Sequence, residues 1–404
     1  MKIGYIFNEK TQLLQFTFEL NLLNGDRKEY LNHNNKLIRL VKQKCCFVLP
    51  GDFEKKHLHN DLIALSSLLI IYPFIGLEID FDFNISNQLY KTLLESGKNI
   101  KYKKTKDFFK SITKRDTSKQ ALCYSGGVDS TAASILLPKT TVHVFLDRIN
   151  PISKKKTIYH KDQIYFSLDC LLKTGINVIS VKTDLEWMRE PVGFIFDLAC
   201  GVPSIILSQY YNYKNINYGY VKHHLHQITE EFQEYYCLGQ WKLYMKPSST
   251  TMKISDYYFW NNLYKAVDLN LNFPVIELTE FDTWYIVEKS RFNNFIHSCM
   301  RGYVGKPCGK CKKCCKLMFL QYAKLNDRLK SMEDLRKLVN LIKWILKRYN
   351  YELKNIMDYG NFELMGAWLA VKYHNVIPEL SNTYKKIKNY EKDILKLTRK
   401  QYKT

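Results

Sequence analysis

Residues 125–131 read Ser125-Gly126-Gly127-Val128-Asp129-Ser130-Thr131, between an apolar run, Ala121–Tyr124, and a helix-forming run, Ala132–Leu137. That order predicts a strand, a tight loop and the start of a helix. The free N–H groups of such a loop and the positive end of the helix dipole face one point, which suits an anion such as phosphate. Gly126 and Gly127 carry no Cβ that would hold a ligand away from the main chain. Ser125, Gly126, Gly127, Ser130 and Thr131 are therefore the candidate phosphate-holding residues. Asp129 is the candidate for orienting the loop or reaching Mg²⁺, a hard cation that would neutralise departing phosphates. Asp129 and Ser130 are the candidate catalytic pair. The lysine of a GxxxxGK[ST] loop is absent, which speaks against kinase or GTPase chemistry of that type.

A second set of residues suits a metal. Cys299, Cys308, Cys311 and Cys314 follow a C-x8-C-x2-C-x2-C spacing. Four thiolates satisfy tetrahedral Zn²⁺, and an x2 spacing lets one turn present two sulfurs. The surrounding lysines favour the thiolate form. An iron–sulfur cluster is the rival, and the glycine turn Cys308-Gly309-Lys310-Cys311 favours zinc. Cys315 is spare. Cys45, Cys46, Cys123, Cys170, Cys200 and Cys237 lie in or beside apolar stretches and read as small buried residues. A third set, Lys222, His223, His224 and His226, follows a strand and is a candidate for contact with substrate or phosphate. No carboxylate framework accompanies these histidines, so a second metal site is the weaker reading.

The elements that must position these groups begin with an N-terminal α+β region, 1–100. Lys2–Phe7, Gln15–Asn21 and Ile38–Leu49 are β-like. Residues 59–73 form a helix capped by Asn60 or Asp61, Leu77–Phe83 a half-buried strand, and Ile85–Ser96 a second helix. Residues 101–119 are basic and polar, as a linker would be. From Gln120 strands alternate with helices: strand 121–124, helix 129–137, strand 141–146, helix 160–174 closed by Gly175, strand 177–181, a helical stretch near 193–211 interrupted at Gly201–Pro203, and strand 215–220. Such alternation predicts an α/β fold with a doubly wound, mostly parallel sheet, whose ligands sit beyond the C-terminal strand ends. Ser125–Thr131, Asp147–Arg148, Thr183–Asp184 and Tyr220–His226 converge there. The aromatic stretch 227–260 would either cover a flat substrate or form a satellite apolar cluster. Residues 326–404 are basic and helical in pattern.

Ser125–Thr131 resembles the SGGxDS signature of the PP-loop (N-type) ATP pyrophosphatases. The resemblance implies an adenine nucleotide α-hydrolase-like fold over residues 120–325, with ATP as substrate. Its pyrophosphate would lie in the loop and its adenine at the end of the second strand, Phe145 to Asp147, largely on the backbone. Asp147 reads equally well as a plain loop residue. Together with the four cysteines, the loop resembles the 7-cyano-7-deazaguanine synthase branch, which implies activation of a carboxylate or carbonyl oxygen by adenylation. Two features of that branch are missing here: its Gly-x-Asn-x-x-Asp loop has no counterpart at Gly219–His226, and its lysine near the last helix is replaced within Leu278-Thr279-Glu280-Phe281. Leu278–Glu280 with the cysteine run is also similar to an ATP-dependent epimerase of peptidoglycan precursors. Synthase-like proteins of antiphage systems share the long extensions. A tRNA- or nucleic-acid-modifying enzyme and a non-catalytic ATP-binding subunit complete the alternatives.

Composition narrows the setting. The chain has 404 residues, 46% hydrophobic and 14% aromatic, which fits a globular protein with a large core. The net charge of +22 admits two readings, a polyanion such as tRNA or another nucleic acid (or a partner protein) held on the basic surface, and a merely lysine-rich composition. The lysines are scattered, with short runs at 101–106, 154–156 and 310–316. No run of about 18 uncharged apolar residues is present, so no membrane span is expected. The first residues lack a signal-peptide core, and the cysteine spacing suits metal more than disulfides, so a cytoplasmic protein is expected.

Overall fold

The computed structural model describes residues 1–31, 37–102, 115–149, 161–221, 254–276, 278, 280–293, 296, 299 and 304–306. One run of parallel strands comprises β8 (Asp116–Tyr124), β9 (Val142–Arg148), β10 (Val178–Thr183), β12 (Tyr213–Tyr218) and β13 (Asn270–Asn272). They lie in the order β13-β12-β8-β9-β10, all parallel. The chain runs outward from β8 through β9 to β10, then returns to place β12 on the other side of β8. The order therefore reverses at β8, where a crevice opens beyond the strand ends.

The helices α3 (Val128–Leu136), α4 (Lys161–Lys173) and α7 (Glu280–Glu288) cover one face, and α5 (Val202–Leu207) and α6 (Ile254–Ala266) the other. The end of β8 shows why both faces are buried. Leu122 and Tyr124 pack with Ala132 and Ala133 of α3 and Trp284 of α7, whereas Ala121 and Cys123 join the opposite core with Ile205 and Tyr264. A strand covered on both sides reads as the continuous apolar run seen at 121–124. The fold is thus mixed α/β about a large, mostly parallel sheet.

The N-terminal region extends that same sheet. Beyond β10 come β5 (Lys44–Val48), β2 (Leu13–Glu19), β1 (Lys2–Asn8), β6 (Glu78–Phe81) and β7 (Asn99–Tyr102), giving ten strands among the described residues. The join is antiparallel, with Val48 opposite Lys182 and Phe47 opposite Thr183. Asp184 fastens it: its carboxylate accepts the Cys46 N–H at 2.8 Å and pairs with Lys42 Nζ at 2.9 Å. The helix α1 (Asn60–Ile71) is buried along its whole length and packs on α5, so one apolar core runs through both parts.

Several boundaries differ from those the sequence suggests. Residues 38–49 divide into β4 (Leu37–Leu40) and β5, because the N–H groups of Val41 and Lys42 turn aside to the Met188 carbonyl. β4 pairs instead with β3 (Glu29–Leu31) and the two-residue β11 (Arg189–Glu190) in a separate small sheet. β8 starts at Asp116, so residues 116–119 are strand. Helix α1 is capped by His59, whose Nδ1 accepts the Asp61 N–H at 3.1 Å. Residues 193–196 are not helical; a 3₁₀ turn at 197–201 precedes α5, with Pro203 in its first turn, where the missing N–H costs nothing. Among the described residues no helix is long and apolar enough to cross a membrane.

Candidate functional site

β8 delivers the chain from the core to Ser125 at the crevice. Gly126 then adopts φ +74°, a left-handed conformation that side chains strain to reach. This bend swings the backbone into α3 within three residues. Gly127 occupies the N-cap position, and no side chain caps the helix there. The first-turn N–H groups of Val128, Asp129 and Ser130 have no carbonyl within the helix to reach. An uncapped helix start at the end of a parallel strand is a positive, donor-rich pocket wall.

The hydroxyls of the loop hold its shape. Ser125 Oγ and Ser130 Oγ lie 2.9 Å apart, and Ser125 Oγ accepts the Gly127 N–H at 3.3 Å. Ser130 and Thr131 both donate to the Gly127 carbonyl, at 3.1 and 2.8 Å. Thr131 is fully buried and also meets the Tyr124 hydroxyl at 2.9 Å. Thr131 therefore braces the loop from beneath, while Ser125 is exposed on it. Gly219, just beyond β12, lies so close that a Cβ there would sit 2.7 Å from Ser130 Cα.

Ser125 also lines a cleft of about 350 Å³ at the ends of β8, β9 and β12. Leu146, Arg148, Phe194, Cys200 and Tyr220 supply its walls, with the exposed Asp197 among them. Arg148 is fixed twice: Nε donates to Glu186 at 2.7 Å, and the guanidinium lies over the Phe194 ring at 5.6 Å. Burial pushes the Cys200 thiol up to about 12, with Tyr220 beside it acting the other way. Burial likewise pushes Cys123 well up. Both thiols are therefore neutral near pH 7 and read as walls rather than nucleophiles. The far wall, 194–200, is steadied from the N-terminal region. There β11 pairs with β4, and the Tyr30 hydroxyl donates to the Ile195 carbonyl at 3.4 Å.

The sequence-derived residues meet this site unevenly. Ser125, Gly126, Gly127, Asp129, Ser130 and Thr131 form one continuous loop and first turn. Phe145 and Asp147 point to the α4 side of β9: Phe145 packs with Ile164, and Asp147, 3% exposed, accepts the Tyr165 hydroxyl on both carboxylate oxygens at 3.0 Å. From the same strand it is Leu146 and Arg148 that face the cleft. Asp184 is occupied at the sheet join. Cys299 is buried, at 3% exposure. Lys222, His223, His224, His226, Cys308, Cys311 and Cys314 lie outside the described residues, as does the helical tail. Among the described residues no cluster of His, Cys, Asp and Glu is arranged to hold a metal.

Sequence reading passed over two contributors. Glu186, which fixes Arg148, sits in a short 3₁₀ turn with no motif around it. Thr283 on α7 donates to Asp129 Oδ1 at 2.6 Å across 154 residues of chain. The parity of β9 points only to Arg148, since alternate residues of a strand must face opposite sides.

Residues 259–402 match the model of a family of unknown function (DUF6395). The match begins within α6 and takes in β13, α7, the four spaced cysteines and most of the tail, but not the 125–131 loop. No curated protein matches the chain. No solved structure matches it either.

Proposed function

We propose that this chain is an ATP-dependent adenylating enzyme of the PP-loop pyrophosphatase type, with an adenine nucleotide α-hydrolase-like fold in its parallel half. One observation carries the reading: the uncapped start of α3, reached through a left-handed glycine, opens at the strand-order reversal directly beside a cleft large enough for a small molecule. The triphosphate lies along residues 125–130, with main-chain N–H groups toward its oxygens. Thr131 supports the loop from below. Asp129 faces the Mg²⁺ that accompanies ATP; one of its carboxylate oxygens makes no hydrogen bond among the described residues, which suits a hard cation.

In the reaction, an oxygen of the acceptor, a carboxylate, attacks the α-phosphorus. The bond from that phosphorus to the bridging oxygen breaks, and pyrophosphate leaves with the electron pair. The helix terminus and loop amides stabilise the charge that builds on the departing group. A nucleophile then attacks the acyl carbon of the adenylate, the bond from that carbon to the phosphate oxygen breaks, and AMP leaves with the electron pair. Cys299, Cys308, Cys311 and Cys314 hold Zn²⁺ in a structural role, because four thiolates leave no open position for a substrate.

The test is exchange of labelled pyrophosphate into ATP across a panel of carboxylic acids. The wild-type chain shows exchange with at least one acid, and Asp129→Asn and Ser130→Ala lower it by at least about a hundredfold. Full exchange in both variants removes the site assignment.

A further inference from the structure

The hydrogen bond from Thr283 to Asp129 joins the only acidic side chain of the α3 first turn to a helix that enters the sequence much later. Thr283 is fully buried. A helical threonine can return its hydroxyl to the carbonyl four residues back in its own helix. Here it reaches across to a neighbouring helix. Around it, Trp284 and Val287 of α7 pack with Val128, Ala132 and Ala133 of α3 in a shared apolar cluster, so both helices are held rigidly side by side. A carboxylate on a helix start rotates about two bonds. Fixing Oδ1 at 2.6 Å fixes where Oδ2 points.

We propose that Thr283 is the positioning residue of Asp129, setting the carboxylate that meets the Mg²⁺ of bound MgATP. The inference rests on the ATP reading above and adds a residue to it. It also gives the family-matched segment, 259–402, a part in the loop's chemistry. Removing the hydroxyl frees the carboxylate to turn, which weakens the metal contact while leaving the amide cradle intact.

The experiment titrates the full-length chain with ATP by calorimetry, at a series of Mg²⁺ concentrations and without Mg²⁺. Thr283→Val raises the Mg²⁺ concentration needed for half-maximal ATP binding about tenfold. It leaves ATP affinity without Mg²⁺ within about twofold of wild type. Thr283→Ser, which keeps the hydroxyl, restores the wild-type requirement. In an Asp129→Asn background Thr283→Val adds nothing further. Thr283→Ala carries the same expectation should the valine variant fail to fold. The proposal is overturned if Thr283→Val keeps the wild-type Mg²⁺ requirement, or if Val and Ser impair it equally, which marks a packing role. A wild-type chain that binds no MgATP at all overturns the ATP reading itself, and this inference with it.

Discussion

Gly219 and His143 show how single side chains constrain the site. A methyl group at Gly219 would press on the backbone of α3 at Ser130, with no flexible side chain to yield. Gly219→Ala is therefore expected to displace the helix start and weaken nucleotide binding at least about tenfold, at a stability cost of about 1–3 kcal/mol; binding and thermal melts measured together check this. His143 lies under the same helix, its Nε2 2.7 Å from the Ser134 hydroxyl, and burial lowers its pKa from 6.5 to about 4. The folded protein thus holds this imidazole neutral where the unfolded chain would protonate it. Between pH 6.5 and about 4 the unfolded state binds the extra proton, so stability falls as pH drops through that window and the loss levels off below it. The full effect is about 3 kcal/mol. Urea denaturation of wild type and His143→Gln across that range measures it as the difference between the two.

Elements decide what the loop faces. The strand, glycine turn and helix at 121–136 were readable in advance because each is a local choice: an apolar run, a pair of residues without Cβ, then helix formers. The partners of that unit were not. Cys45 and Phe47 alternate with less buried neighbours as any half-buried strand does, and nothing local says that their strand completes the sheet at β10. Thr283 meets Asp129 only because two helices pack together. The sheet join makes a direct prediction. Asp184→Ala leaves the Cys46 N–H without its acceptor and costs about 1–3 kcal/mol. Lys42→Ala, which removes only a half-exposed ion-pair partner, costs less than about 1 kcal/mol. Equal costs would mean that Asp184 does not fasten the two halves.

At the scale of the whole molecule, the N-terminal quarter belongs to the same sheet as the candidate site and braces its far wall through β4 and β11. The N-terminal region thereby meets the wall of the cleft, through Tyr30 on the Ile195 carbonyl and β4 on β11. The charge of +22 was readable from composition, but its placement was not, since scattered lysines give no face. The cysteine spacing predicts bound zinc. Elemental analysis is expected to find about one zinc per chain, lost when Cys308 and Cys311 are both replaced by serine, with a lowered melting temperature. Retained stability with no metal in either form would remove the structural ion.

Calorimetric titration of the full-length, correctly folded chain with ATP in the presence of Mg²⁺ tests the central claim most directly. The account predicts saturable binding of about one nucleotide per chain, weakened by magnesium removal and largely lost when Gly126 is replaced by valine, a side chain unsuited to its φ of +74°. A folded wild-type chain that takes up no ATP contradicts it.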